Sequence, residues 1–238
     1  SPFALLFGFA FSLMVGNVFQ QLYTFVDTMI VGKYLGVTAL AALGATEWLV
    51  FVMFGCVQGI TQGFSISMAK RFGSHDEEKL KKDMGASVLL CLVLGVLFTI
   101  VGIALCKLVL QLLHTPQDMI GMAQVYLRTL YSGVCISFGY NILAAFLRAV
   151  GDSRTPLVAV SLAAVCNIVL DLLFVVILHL GVFGAALATL LSQLLSAVYC
   201  LRVVRDSGFV RIGRANLEIR PERCRRLLGL GLPMGAQN

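Results

Sequence analysis

Residues 3–27 read FALLFGFAFSLMVGNVFQQLYTFVD, and the 24 residues from Phe3 to Val26 contain no charge. A helix crossing ~30 Å of hydrocarbon needs about 20 apolar residues, whereas a strand crosses in about 10 and alternates polar with apolar. This stretch therefore reads as a membrane-spanning helix. Similar runs follow at about 38–69, 84–113, 120–147, 157–178 and 182–201, and another opens near Leu227. Charged residues make up only 13% of the 238, about half the share of a soluble domain. The bilayer is the solvent such a chain requires. The sequence specifies an all-α integral membrane protein, with a six-helix transmembrane bundle over 1–203. A basic linker (204–226) leads to the start of a seventh helix (227–238). The chain opens Ser-Pro and ends in an apolar run just beginning, which reads as a piece of a longer protein. The first span exceeds the 7–15-residue core of a signal peptide.

The net charge of +6 has a topological origin. Basic residues number five in 70–83, two in 148–156 and eight in 202–226, which is 15 of 18 on alternate loops. The positive-inside rule puts those loops and the N-terminus in the cytoplasm of a multi-pass cell (inner or plasma) membrane protein. No basic groove interleaved with aromatics is present, so nucleic acid is excluded as a partner. The seven cysteines contain no CxxC pair and His75, His114 and His179 stand apart, which supports neither a zinc site nor a disulfide framework. No GxSxG, HExxH or Walker sequence occurs, so no enzyme activity and no organic cofactor is expected.

Polar residues inside the spans carry the functional reading. Asp27 precedes Gly36 by nine residues and Asp171 precedes Gly181 by ten. At 1.5 Å per residue, both lie roughly 13–15 Å below the outer ends of parallel helices. The two stretches, VDTMIVGKYLGVTALAAL and LDLLFVVILHLGVFGAAL, are faintly alike. An ionisable group in hydrocarbon costs several kcal/mol and faces a bundle interior or wet cavity. Asn17, Gln20, Tyr23 and Thr24 share a helical face with Asp27, and Asn167 precedes Asp171 by one turn. Ser137 and Asn141 on span four, and Thr189, Ser192, Gln193 and Ser196 on span six, add polar stripes. Hydroxyls such as Ser132, Ser192 and Ser196 read as interhelical glue. The aspartates, with no basic residue to pair with, read as a cation site. Carboxylates out of water resist ionisation, so such a pair can take a proton or, with amide and hydroxyl oxygens, hold Na⁺. Glu47, about ten residues into span two, reads equally as cavity-lining or interfacial, and Gly55, Gly59 and Gly63 read as a close-packing face.

Five segments, in this order, resemble the multidrug and toxic compound extrusion (MATE) family. They are QQLYTFVDTMIVGKYLG (20–36), FLRAVGDSRTP (146–156), NIVLD (167–171), GVFGAALATLLSQ (181–193) and GLGLP (229–233). The resemblance implies one lobe of a twelve-helix, two-lobe transporter, with the second lobe of the same chain as partner. It implies a secondary active antiporter that exports drugs or toxic, amphipathic organic cations in exchange for H⁺ or Na⁺. Carried onto this sequence, the cation site comprises Tyr23, Asp27, Asn141, Asn167, Asp171 and Thr189, with Na⁺ at Asp27, Asn167 and Asp171. Gln20, Thr24, Glu47, Ser137 and Gln193 are further cavity-lining candidates. The family often has a proline where Ser12 stands, so bending of the first helix would fall to Gly16. A lipid-linked oligosaccharide flippase of the same superfamily would need basic cavity residues to hold a pyrophosphate. A receptor or passive bundle would have no use for two unpaired aspartates at one depth.

The charge distribution generates a topological test. Single cysteines introduced at 70–83, 148–156 and 202–226 should react with impermeant maleimide only from the cytoplasmic side, and labelling from outside reverses the orientation.

Overall fold

The structure, a computed structural model, describes residues 2–207 and 221–237, with side chains from Met14 onward except Asn17. The side chains of Ser12 and Asn17 and the linker residues 208–220 lie outside the described residues. The described elements are helical throughout: α1 (Pro2–Leu35), α2 (Val37–Gly73), α3 (Glu77–Leu112), α4 (Gln117–Ser132), α5 (Val134–Ala149), α6 (Arg154–Asp171), a π-helical segment (Leu172–Ile177), α7 (Gly181–Asp206) and α8 (Pro221–Gln237). By length and composition, α2, α3, α6 with its π extension, and α7 can each cross a membrane. The α4–α5 pair makes one further span, bent by 47°. α1 carries the uncharged run that begins at Phe3. Both ends of the 204–226 segment that fall among the described residues are helical, since α7 continues to Asp206 and α8 begins at Pro221.

Two sequence expectations change here. The span at 120–147 is not one straight helix, because α4 and α5 meet at Gly133. A Cβ on Gly133 would lie 2.1 Å from Leu190 Cδ2. The missing side chain lets α7 press into the joint. The 70–83 segment is not wholly aqueous either. Only 74–76 separates α2 from α3, and Asp83 is 1% exposed.

The helix ends explain the scattered histidines. His75, His114 and His179 have φ of 56°, 54° and 52°, each in the left-handed region just past a helical segment. There a residue stops the helix, and a cationic imidazole would complement the C-terminal dipole. At the start of α3, Asp76 accepts a hydrogen bond from Lys79 N (3.1 Å) and pairs with Lys79 Nζ (2.6 Å). That contact with Lys79 holds the Asp76 carboxyl below the usual carboxylate range. Asp152 caps the start of α6, accepting from Arg154 N and Thr155 N at 3.0 Å each.

The packing is inverted relative to a soluble protein. Phe25, Trp48, Ile100, Val165 and Ile177 are exposed, whereas Asp27, Asp83, Asn167, Asp171, Ser137 and Thr189 are buried. Lipid rewards the apolar exterior, and the interior is closed by hydrogen bonds and small residues. Thr99 Oγ1 donates to Tyr131 O at 2.8 Å and joins α3 to α4, while Ser196 Oγ donates to Ala159 O at 2.8 Å and joins α7 to α6. Ser196 is thus interhelical glue, but Ser132 and Ser192 bond only to carbonyls of their own helices.

The tightest seam joins α2 to α8. A Cβ on Gly59 would sit 2.4 Å from Met234 O, and one on Gly63 would sit 2.5 Å from Gly231 Cα. Opposite them, a Cβ on Gly231 would sit 2.6 Å from Phe64 Cε1 and one on Gly235 would sit 2.8 Å from Ile60 Cγ1. Small residues four apart on both helices let the backbones touch. At the basic end of this seam Asp83 gathers three arginines. Arg226 Nη2 donates to Asp83 Oδ2 (2.8 Å) and Oδ1 (2.9 Å), Arg223 Nε lies 3.2 Å from Oδ1, and Arg71 Nε lies 3.6 Å from Oδ2. Ser67 Oγ donates to Asp83 Oδ2 at 2.8 Å. One buried carboxylate therefore ties α8 to α2 and α3.

In the full-length protein, Gly63→Leu should wedge this seam and cost about 1–3 kcal/mol or more, lowering the unfolding temperature in detergent by several degrees. Gly44→Ala, where nothing lies within 4 Å of the added Cβ, should leave it unchanged or raise it.

Candidate functional site

The site lies where α1, α6 and α7 converge. α1 packs along α6, which brings Asp27 into reach of the C-terminal end of α6, where Asp171 stands. Asp171 is 0% exposed, and Asp27 and Asn167 are also buried. The two carboxylates are close enough to interact electrostatically, and both interact with Tyr23 and Tyr126. Tyr126 on α4 was not singled out in the sequence. As an aromatic without a polar stripe beside it, it gave no signal there.

The chain changes helical pitch directly after Asp171. The π segment makes an i→i−5 bond, Leu178 N to Leu173 O, at 2.8 Å. Asp171 stands ten residues before Gly181, against nine from Asp27 to Gly36. A wider turn accommodates an extra residue of this kind, and such turns occur frequently at functional sites. Both glycines have left-handed backbones, with φ of 86° at Gly36 and 61° at Gly181, and each starts the following helix. The faint sequence likeness of the two stretches therefore has a backbone counterpart.

The polar groups here are unsatisfied. Among the described residues, the buried side-chain atoms without a hydrogen-bond partner are Asp27 Oδ1, both polar atoms of Asn167, both carboxylate oxygens of Asp171, and Arg223 Nη1. Buried polar groups are nearly always paired. A concentration of orphans on three adjoining side chains is what a proton or a hard cation with oxygen ligands would fill. The donor set, two carboxylates and an amide oxygen, suits Na⁺ and lacks the soft ligands of a transition metal. Toward the end remote from the basic loops, Ile30, Val31, Val175, Val182 and Ala185 form an apolar cluster against which Tyr126 packs.

On the other side a cavity of about 600 Å³ opens, running toward the basic loops. Gln20, Tyr23, Asn141 and Gln193 line it, as do Gln58 and Gln62 of α2. Gln193 is fixed by Ser137, whose Oγ donates to Gln193 Oε1 at 2.6 Å, and Asn141 Nδ2 donates to Ser137 O at 2.9 Å. Asp27 and Asp171 are not among the lining residues, and Tyr23 is the side chain that both lines the cavity and interacts with them.

The remaining candidates separate. Thr189 is buried and donates to Ala185 O of its own helix at 3.2 Å. Thr24 is exposed, donating to Gln20 O at 3.0 Å, and does not line the cavity. Ser137 supports the wall without lining it. Glu47 lies exposed on α2 next to Trp48 and is not among the residues that line this cavity, so of its two readings the interfacial one fits its position. Gln58, Gln62 and Arg148 were missed as cavity residues. Their spacing on α2 at i, i+4 was a readable signal for the two glutamines.

These features define a multi-pass membrane bundle with a buried acidic pair beside a polar cavity, the class of a transporter lobe. Comparison with known proteins is specific. The MatE family profile matches residues 12–173, and the chain belongs to this family of membrane transporters associated with multidrug efflux. It is 33% identical over 229 residues to the probable multidrug resistance protein YpnP of Bacillus subtilis, covering 96% of this chain and 51% of that one. It is 26% identical over 178 residues to an FAD transporter of Shewanella oneidensis, 73% of this chain and 39% of that one. Its fold matches the outward-facing conformation of a MATE family multidrug resistance transporter of the MOP superfamily, at TM-score 0.90 and 29% identity over 98% of this chain and 52% of that one. The chain spans about half the length of the curated relatives it matches.

The orphaned amide yields a stability prediction. Asn167→Leu removes two unsatisfied buried atoms at similar volume and should stabilise the ion-free protein by about 1–3 kcal/mol, read as a raised unfolding temperature. A fall would show that Asn167 is satisfied in the apo state.

Proposed function

We propose that the complete protein is a secondary active antiporter that exports amphipathic drugs or toxic organic compounds, cations among them, across the cell membrane in exchange for H⁺ or Na⁺. Its two lobes would be carried on one chain, with the N-terminus cytoplasmic. The observation that carries this reading is the set of unpartnered oxygens on Asp27, Asn167 and Asp171 beside a substrate-sized cavity. A proton or Na⁺ arriving there cancels repulsion between two carboxylates that hydrocarbon makes strong. The ion then favours whichever conformation brings the pair together, and this differential binding is what couples a gradient to a change of state. Tyr23, which interacts electrostatically with the carboxylates and lines the cavity, would pass the change of charge to the substrate side. A flippase for lipid-linked oligosaccharides is not favoured, because the relatives named above are multidrug and FAD transporters and a pyrophosphate would need more than one basic residue.

Asparagine at either position keeps size and hydrogen bonding but abolishes titration. Reconstituted full-length Asp27→Asn and Asp171→Asn should fold and insert as the parent does, yet fail to export under an imposed H⁺ or Na⁺ gradient. Ser132→Ala, on an exposed hydroxyl outside the site, should export at the parent rate. Gradient-driven export by both asparagine variants at that rate would end this reading.

A further inference from the structure

The cavity contains a charge that ion coupling does not use. Arg148 stands in the last turn of α5, is half-buried, and lines the cavity. Its guanidinium makes no hydrogen bond or ion pair with any described residue, and none of the described lining residues is acidic. Asp152, four residues on, is committed to capping α6 through Arg154 N, Thr155 N and Thr155 Oγ1. Asp27 and Asp171 lie outside the wall.

The rest of the molecule shows the contrast. Arg71, Arg223 and Arg226 all converge on Asp83, so where the fold uses arginines structurally it supplies a carboxylate. A cation at the C-terminus of α5 complements the helix dipole, which explains its tolerance there. The dipole does not satisfy the five N–H donors of a guanidinium facing a cavity. The other described lining residues are uncharged, among them Gln58, Gln62, Tyr140 and Ser153. A planar, partly desolvated guanidinium without an internal partner, set among neutral donors, is the arrangement that receives a carboxylate or phosphate.

We infer that Arg148 is an anion subsite of the cavity, engaging the carboxylate or phosphate of an amphipathic substrate. The inference rests on the cavity being the substrate's, as proposed above, and narrows the substrate class. Zwitterions and organic anions are favoured in this lobe over compounds that carry positive charge alone.

The test uses the full-length transporter in lipid nanodiscs, without any ion gradient, and two probes that share a ring system and differ by one phosphate, riboflavin and FMN. Fluorescence polarisation should show FMN bound more tightly than riboflavin by about tenfold or more, the effect of one charge-assisted hydrogen-bonded contact. Arg148→Gln should bring FMN to the affinity of riboflavin and leave riboflavin unchanged, while Arg148→Lys should keep part of the preference. FMN binding no tighter than riboflavin in the parent, including no saturable binding of either, overturns the subsite. So does Arg148→Gln weakening both flavins alike, which would mark Arg148 as a packing residue. Because binding is read at equilibrium, loss of the Arg148 effect is separable from failure of coupling. A parent that discriminates between the flavins but shows no gradient-driven export would sink the antiport reading and leave the subsite standing.

Discussion

Hydrocarbon offers no hydrogen bonds, and this constraint organises the whole bundle. Every polar group that leaves water must find a partner inside the protein or carry a cost of several kcal/mol. Most of the described interior complies. Hydroxyls return to carbonyls one turn back, as Thr61 and Ser87 do, or bridge helices, as Thr99 and Ser196 do. Against that background the unpartnered polar atoms of Asp27, Asn167 and Asp171 are exceptional among the described residues. On the antiport reading proposed above, an arriving ion would cancel that cost, and this conditional stability would be the thermodynamic handle an exchanger needs.

Three ionisable arrangements on one scaffold do different work because their surroundings differ. Asp83 is enclosed by arginines from α2 and α8, so its charge is spent on holding helices together. Asp27 and Asp171 interact electrostatically with each other and with two tyrosines, and among the described residues no basic side chain pairs with them. Arg148 faces open space bounded by neutral side chains. The first is a joint, whereas the proposals above give the second to an ion and the third to a substrate, each argued from what stands within reach of the charge.

Much of this was legible in the sequence, and the limits have physical causes. Long uncharged runs announced the helices, because a membrane leaves a chain few alternatives. Asp27 and Asp171 stood out as candidates because charge in such a run is too costly to be incidental, and Asn167 because it precedes Asp171 by one turn. Gly59 and Gly63 announced a close seam, although their partners, Gly231 and Gly235, could be known only from the packing. The α4–α5 bend was not legible, since it depends on Leu190 reaching Gly133 from a helix about 60 residues away. The π segment was equally hidden, as Leu172–Ile177 is an ordinary apolar run and only its register is unusual. Asp83 was misplaced for a simple reason: in sequence it closes a hydrophilic stretch, and two of its three arginines, Arg223 and Arg226, come from the far end of the chain.

The glycine seam between α2 and α8 also bears on how this sequence can drift. When a glycine accommodates a neighbour's side chain, as Gly95 does Cys135 or Gly133 does Leu190, an enlarged residue can be rescued by trimming that neighbour. At Gly59 and Gly63 the neighbouring atoms are the carbonyls and Cα atoms of α8 itself. Backbone cannot be trimmed, so no second-site substitution in α8 restores the fit. These two positions have no compensating partner, and their identity is held by geometry that every chain shares.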